Sequence, residues 1–262
     1  MRHDANELDR FYQSQRGKTA CDMIWRRIRV LWPDMRDLDV LGLGFASPIL
    51  NCFDDTPRRS VALMPAAQGA VIWPGEGASR TTISDETRLP FPDAMFDRVV
   101  LLHALEEAES IPALLREVWR VMAPQGRMVL IVSNRSGAWA RADGTPFGHG
   151  RPFSKGQITR VLGDAAFEAT AWSRALYAPP MSWCCGPGRS EFWESVGEKL
   201  YRGLSGVVLV EAVKRVAALT PRAARSSSLR IRGLEGARPS AISPSTSKTT
   251  FAPSSLPRTE TP

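Results

Sequence analysis

Residues 82–134, TISDETRLPFPDAMFDRVVLLHALEEAESIPALLREVWRVMAPQGRMVLIVSN, constrain the fold more than any other stretch of this chain. They read as strand, acidic loop, strand, helix, tight turn and strand. The helix over 111–122 carries Leu114, Leu115, Val118 and Val121 on one face. The runs 97–102 and 127–132 on either side of it are almost continuously apolar, the pattern of parallel strands covered on both faces. Such strands are joined by right-handed crossovers. Pro124-Gln125-Gly126 reads as the turn between helix and second strand.

The rest of the chain fits around this unit. Residues 39–43 (DVLGL) predict a short buried strand running into Gly44-Phe45-Ala46-Ser47-Pro48, and 60–64 (SVALM) predict a second. A strand that ends in glycine is where an α/β sheet brings its backbone close to a ligand. Upstream, Leu8, Phe11, Tyr12, Ile24, Ile28 and Leu31 recur at helical intervals over 6–32, with Gly17 expected to break the segment in two. Downstream, a polar Gly-rich loop over 137–153 leads to Ser154 and Gln157, spaced as a capping box. Residues 167–177 and 206–213 predict strands around a helix over 191–200, an antiparallel addition at one sheet edge.

Charge is uneven along the chain. The net charge is +7, but from residue 220 onward seven Lys/Arg face two Glu, so the tail carries +5 and the body is nearly neutral. About half of the residues after 220 are Ser, Thr or Pro, a composition too poor in apolar groups to build a core. The expected organisation is a helical cap over 1–36, an α/β domain over 37–219 and a disordered basic tail over 220–262. The tail lacks interleaved aromatics, so nucleic acid is not the expected partner. Cys21, Cys52, Cys184 and Cys185 have no CxxC spacing, and reduced thiols in a cytoplasmic protein are the expectation. The first ten residues lack a secretory h-region, and no apolar run reaches the roughly 20 residues of a membrane span.

The segments LPFPDAMFDRVV (89–100) and LREVWRVMAPQGRMVLIV (115–132), in this strand order, resemble the class I S-adenosylmethionine-dependent methyltransferases, most closely their type 11 methyltransferase-domain group. That family reads a Leu-Pro-Phe turn, a Phe-Asp strand start and an Arg-Val-Leu-Lys-Pro-Gly-Gly turn at this spacing. PFSKGQITRVLGDAAF (152–167) is similar to its helix leading into the sixth strand. The resemblance spans about 38–213. It implies a Rossmann-like α/β fold, a mostly parallel seven-stranded sheet with helices on both faces and an antiparallel edge. It also implies S-adenosylmethionine as cofactor.

Carried over position by position, the family's cofactor motifs are unevenly kept. Gly42 stands at the acidic position of the first motif, Gly44 at its first glycine, Ala46 at the second and Pro48 at the third. Met64 stands where an acid would hold the ribose hydroxyls, and thioether sulfur is only a weak acceptor. Asp85, followed by Glu86, matches the acid that accepts from the adenine amino group. His103 falls where the family lines the methionine side of the pocket. A carboxylate facing a ribose diol makes two charge-assisted hydrogen bonds of roughly 1.5–3 kcal/mol each, so its loss weakens binding by about two orders of magnitude or more. Phe45 reads as a core residue in preference to an adenine- or sulfonium-facing one.

Methyl transfer from a sulfonium is an in-line displacement that alignment and exclusion of water suffice to promote, so no dedicated nucleophile is expected. His149 in the loop FGHGR is a candidate base or substrate ligand beside the simpler reading of a loop histidine bonded to backbone. Glu106 and Glu107 read as a solvated face at the start of a helix, and His3 as without a role. Trp172, Tyr177, Trp183, Phe192 and Trp193 read mostly as core. Three functions follow: a methyltransferase for a small-molecule or lipid-class acceptor, a non-catalytic module of the same fold that binds a ligand or partner, and an anionic-surface binder acting through the tail.

Overall fold

Alternation along the central strands fixes two cores. In β4 (Phe96–Leu102), Val99 and Leu101 face one side of the sheet while Val100 and Leu102 face the other, and all four are buried. The first side packs Leu41, Leu43 and Leu63 under Leu114, Leu115 and Val118 of α4 (Ile111–Val121). The second packs Val40, Val129 and Ile131 under Ala5, Leu8, Ile24 and Ile28 of two N-terminal helices, α1 (Ala5–Gln13) and α2 (Gln15–Leu31). Each fully buried Leu or Ile contributes roughly 1.5–3 kcal/mol.

The computed structural model describes residues 2–53, 56–181, 184–186, 188–200 and 202–215. The expectations for the tail at 220–262 and for Trp183 fall outside the described residues. Among those residues seven strands form one sheet. They are β1 (Asp39–Gly44), β2 (Arg59–Pro65), β3 (Thr81–Ser84), β4, β5 (Met122–Ser133), β6 (Phe167–Ala175) and β7 (Val207–Lys214), in the order β3-β2-β1-β4-β5-β7-β6. The pairs from β3 to β5 are parallel, and β7 runs antiparallel to both β5 and β6. The parallel sheet with an antiparallel edge is therefore present as expected. Between them run a single turn α3 (Ser47–Leu50), α4, α5 (Lys155–Asp164) and α6 (Arg189–Leu200). Ser154 and Gln157 close the capping box of α5 reciprocally, as their spacing predicted.

Several expectations are corrected. The first helix breaks at Ser14, not Gly17: the Ser14 hydroxyl donates to the Phe11 carbonyl and accepts from the Gly17 N–H, ending α1 and capping α2. Gly17 has another purpose. A Cβ there would stand 2.0 Å from the Phe11 carbonyl oxygen, so only glycine lets the two helices meet. Pro124-Gln125-Gly126 is not a separate turn but a bulge within β5, where Phe96 pairs with Met122 and Arg98 already pairs with Arg127. Glu106 and Glu107 start no helix; α4 begins at Ile111 behind the cap Ser110, and both side chains are buried. Of the late aromatics, Trp193 is packed against the core, whereas Phe192 is 61% exposed.

Candidate functional site

The sheet order reverses between β1 and β4, and a crevice at the carboxyl ends of such strands is where open α/β sheets take their ligands. β1 closes on Gly44 at φ 84°, in the left-handed region, and a Cβ there would lie 2.3 Å from the Leu102 carbonyl oxygen. Phe45 N–H donates to that same carbonyl at 2.8 Å, which ties the β1 loop to the end of β4. Behind this turn, Leu50 and Ala46 fill the space beside Gly42: a Cβ at 42 would meet Leu50 Cδ1 at 2.8 Å and Ala46 Cβ at 2.9 Å. No acidic side chain fits there without rearrangement.

His103 follows β4 directly, with φ 52°, a conformation that non-glycine residues adopt at a strain cost. It is buried, and its Nε2 lies 2.8 Å from the Tyr12 hydroxyl of α1. Burial pushes the imidazole down to about 3, so the ring is neutral at ordinary pH. Burial also raises the Tyr12 phenol, which keeps its proton. The Tyr12 ring stacks on Phe45 with centroids 5.9 Å apart and planes 19° from parallel. Phe147, from the Gly-rich loop, lies 4.8 Å from the His103 ring. The crevice mouth between β1 and β4 is thus filled by Tyr12, Phe45, His103 and Phe147.

At the neighbouring corner Met64, one residue before the end of β2, is fully buried, with its sulfur accepting from the Val71 N–H. Asp85 is exposed just past β3; its Oδ1 accepts from the backbone N–H and the hydroxyl of Thr87, which hold the carboxyl below its usual range. Glu86 is buried and accepts from Arg2 at 2.6 Å and from the Glu109 N–H at 3.0 Å. Arg2 also donates to the Glu107 carbonyl. His3, expected to have no role, holds the Glu107 carboxylate through both its ring Nδ1 and its backbone N–H. Burial raises the Glu107 carboxyl, but these His3 contacts outweigh it and leave the group below its ordinary value. The N-terminal segment is therefore fastened across the crevice at three points: Glu86, Glu107 and His103.

Glu106 sits beside them with one oxygen accepting from the Ser133 N–H and the other, Oε2, without a hydrogen-bond partner. Burial pushes its carboxyl up to about 7. His149 has Nδ1 3.3 Å from the Thr145 carbonyl oxygen and its ring edge-on to His3 at 4.3 Å. Among the described residues there is no group of three or more His, Cys, Asp or Glu placed to hold a metal. The Cys21 and Cys52 sulfurs are 3.9 Å apart, and each thiol donates to the Pro48 carbonyl.

The structure thus gathers Gly42, Gly44, Phe45, Ala46 and His103 at one wall, and sets Met64, Asp85 and Glu86 at the other. Sequence reasoning missed Arg2, Tyr12, Glu106 and Phe147. It also missed Gln68, just beyond β2, which is 2% exposed with neither amide atom hydrogen-bonded. A polar residue in the otherwise small and apolar run Pro65-Ala66-Ala67 was the one available signal.

Residues 60–130 match the family model of a methyltransferase domain. Over 118 residues the chain is 33% identical to the demethylmenaquinone methyltransferase of Mycolicibacterium gilvum, covering 42% of this chain and 48% of that protein. It is 40% identical over 99 residues to the enzyme of the same description from Symbiobacterium thermophilum, 38% of this chain and 34% of that one. The chain spans about half, or less, of the length of these curated relatives. Among solved structures, an S-adenosylmethionine-dependent methyltransferase of Thermotoga maritima superposes with a TM-score of 0.55 at 15% identity, over 80% of this chain and 95% of that one. One from Archaeoglobus fulgidus gives 0.53 at 18% identity, over 74% and 94%. The fold is that of a class I methyltransferase.

Toward S-adenosylmethionine, the cofactor expected from the sequence, the residues present offer free polar groups just past β2 and β3. The buried Gln68 amide, with a donor and an acceptor both unsatisfied, and the second oxygen of Asp85 are groups an adenosine moiety can use. The methionine end does not fit as packed here. Its place is held by apolar and aromatic side chains already in contact, and Gly42 leaves no carboxylate for an ammonium group.

Proposed function

We propose that this chain is an S-adenosylmethionine-dependent methyltransferase for a small-molecule or lipid-class acceptor. The reading is carried by residues 60–130, the matched segment, which run from β2 into β5 and place Asp85 beyond β3. The names of the curated relatives, which act on demethylmenaquinone, support an acceptor of that lipid-like kind. Gln68 and Asp85 would hold the cofactor by its adenosine, and the bound cofactor supplies an already activated methyl group. What remains for the protein is alignment and exclusion of water. Phe45, Phe147 and the Tyr12 ring provide the dry wall, and the neutral His103 provides a hydrogen-bonding group that does not compete as a cation. For either ligand to enter, α1 must swing off the crevice.

A second reading has its own support. A crevice already filled by Tyr12, Phe45, His103 and Phe147 suits a methyltransferase-like module that no longer binds the cofactor. Calorimetric titration of S-adenosylmethionine and of its demethylated product into the purified chain separates the two. Micromolar binding supports the enzyme; absence of heat at millimolar ligand leaves the binding module.

A further inference from the structure

We propose that Cys21 and Cys52 are a site of oxidative modification, a dithiol that a peroxide closes to a disulfide, pinning α2 to the turn that follows β1. This goes beyond the methyltransferase reading and holds whether or not the cofactor binds.

The two cysteines are 31 positions apart in the chain, yet their sulfurs lie 3.9 Å from one another. Both thiols donate to one acceptor, the Pro48 carbonyl, each at 3.4 Å. That shared acceptor holds the sulfurs side by side at about van der Waals contact, so a short movement of the side chains closes the bond. Their access to solvent differs. Cys21 is buried on the inner face of α2, whereas Cys52 is half-buried and lines an open cavity of about 530 Å³ walled by Trp25, Trp32 and Phe53. A small oxidant therefore meets Cys52 first. The neighbouring Cys52 sulfur and burial hold the Cys21 thiol above its ordinary value, which suits it to the second step and not the first.

In the first step the Cys52 sulfur attacks one oxygen of the peroxide and the O–O bond breaks. Cys52 becomes a sulfenic acid, and its thiol proton leaves with the departing oxygen as water. The Cys21 sulfur then attacks the Cys52 sulfur, and the S–O bond breaks as the S–S bond forms. The Cys21 proton leaves with that hydroxyl as a second water. Two electrons pass from the thiols to the peroxide. Cys52 comes just after α3, the single turn that grows from Gly44, Phe45 and Ala46, and α2 continues from α1 across Ser14. The bridge thus fastens the helical cap to the β1 turn and leaves any opening of α1 to hinge at Ser14.

The test treats the reduced full chain with hydrogen peroxide under native conditions, blocks remaining thiols by alkylation and maps the tryptic peptides. Peptides 19–26 and 37–58 hold one cysteine each. They are expected to appear joined, lighter by two hydrogens than their sum, and to separate on reduction. Tm of the bridged chain is expected to rise by about 5–10 °C. Amide exchange in α2 is expected to slow several-fold while α1 keeps its rate. In Cys21→Ser, Cys52 lacks its resolving partner and is expected to run on to the sulfinic acid. Sulfinic acid at Cys52 of the wild-type chain with Cys21 still alkylated overturns the proposal, as does a bridge from Cys52 to peptide 175–189, which carries Cys184 and Cys185. A bridged chain with unchanged Tm and unchanged α2 exchange overturns the pinning. Should Cys21→Ser not fold, the wild-type peptide map decides alone.

Discussion

The β4–α4–β5 unit and the crevice above β1 and β4 are built from the same sheet but held by different physics. In the first, neighbours in sequence bury one another: α4 lays its four apolar residues onto the strands that flank it. In the second, groups separated by about a hundred residues meet through single polar contacts, Tyr12 with His103 and Arg2 with Glu107. The unit is a scaffold that tolerates little change. The crevice is a closure, with contacts few enough that a ligand can replace them. The fold and the proposed activity therefore rest on different parts of the chain.

Truncation of the scaffold should give the largest effect. Phe96 is fully buried at the start of β4 and edge-on to Phe91, so Phe96→Ala is expected to lower unfolding free energy by about 3–5 kcal/mol in urea denaturation. A loss under 1 kcal/mol would mean that the contrast between the regions is misdrawn.

Glu106 lies between the two and reports through pH. Its folded value of about 7 stands above the ordinary 4.5, so the native state keeps a proton that the unfolded chain gives up. Its favourable contribution is full below pH 4.5 and is lost as pH rises to 7, on the order of 3 kcal/mol. His103 acts in the opposite sense: with a folded value of about 3 against 6.5, it raises stability as pH climbs from 3 to 6.5. The stability difference between wild type and Glu106→Gln isolates the first slope. A flat difference between pH 4.5 and 7 would show that Glu106 is not held protonated.

Arg2→Ala leaves the buried Glu86 carboxylate facing only the Glu109 N–H. We expect a loss of about 2–3 kcal/mol together with faster hydrogen exchange confined to α1. Exchange that rises equally in α4 would contradict a closure separable from the scaffold. The smallest effect is expected for Tyr12→Phe, about 1–2 kcal/mol, since the ring stays on Phe45 and only the bond to His103 is lost. No change in calorimetric stability would place water in the hydroxyl's stead and weaken the case for a dry site.

Much of the fold was legible because periodicity is local. The alternation of Val99, Val100, Leu101 and Leu102, the inner face of α4 and the Ser154–Gln157 box each need only a few residues to be read. Of the candidate site, the sequence could place only the residues at strand ends, Gly44, Asp85 and His103. Tyr12 looked like any apolar-face residue of an amphipathic helix, because periodicity says which side is buried and not against what. Glu106 and Glu107 were misread for the same reason: acids near a helix start are usually solvated, and the N-terminal segment, β5 and the Gly-rich loop, all far away in the chain, cover them here.

The sequence by itself determined the sheet, its helices and a resemblance to class I methyltransferases, since those follow from hydrophobic spacing and turn chemistry within short windows. Only the tertiary structure decided that α1 lies over the switch point and that a phenol hydroxyl sits on His103. It also decided that Gly42 and Met64 look into filled space and that Gln68 is left with unsatisfied hydrogen bonds. Those outcomes depend on side chains brought together across the chain, where burial and pairing, and not local propensity, set the free energy.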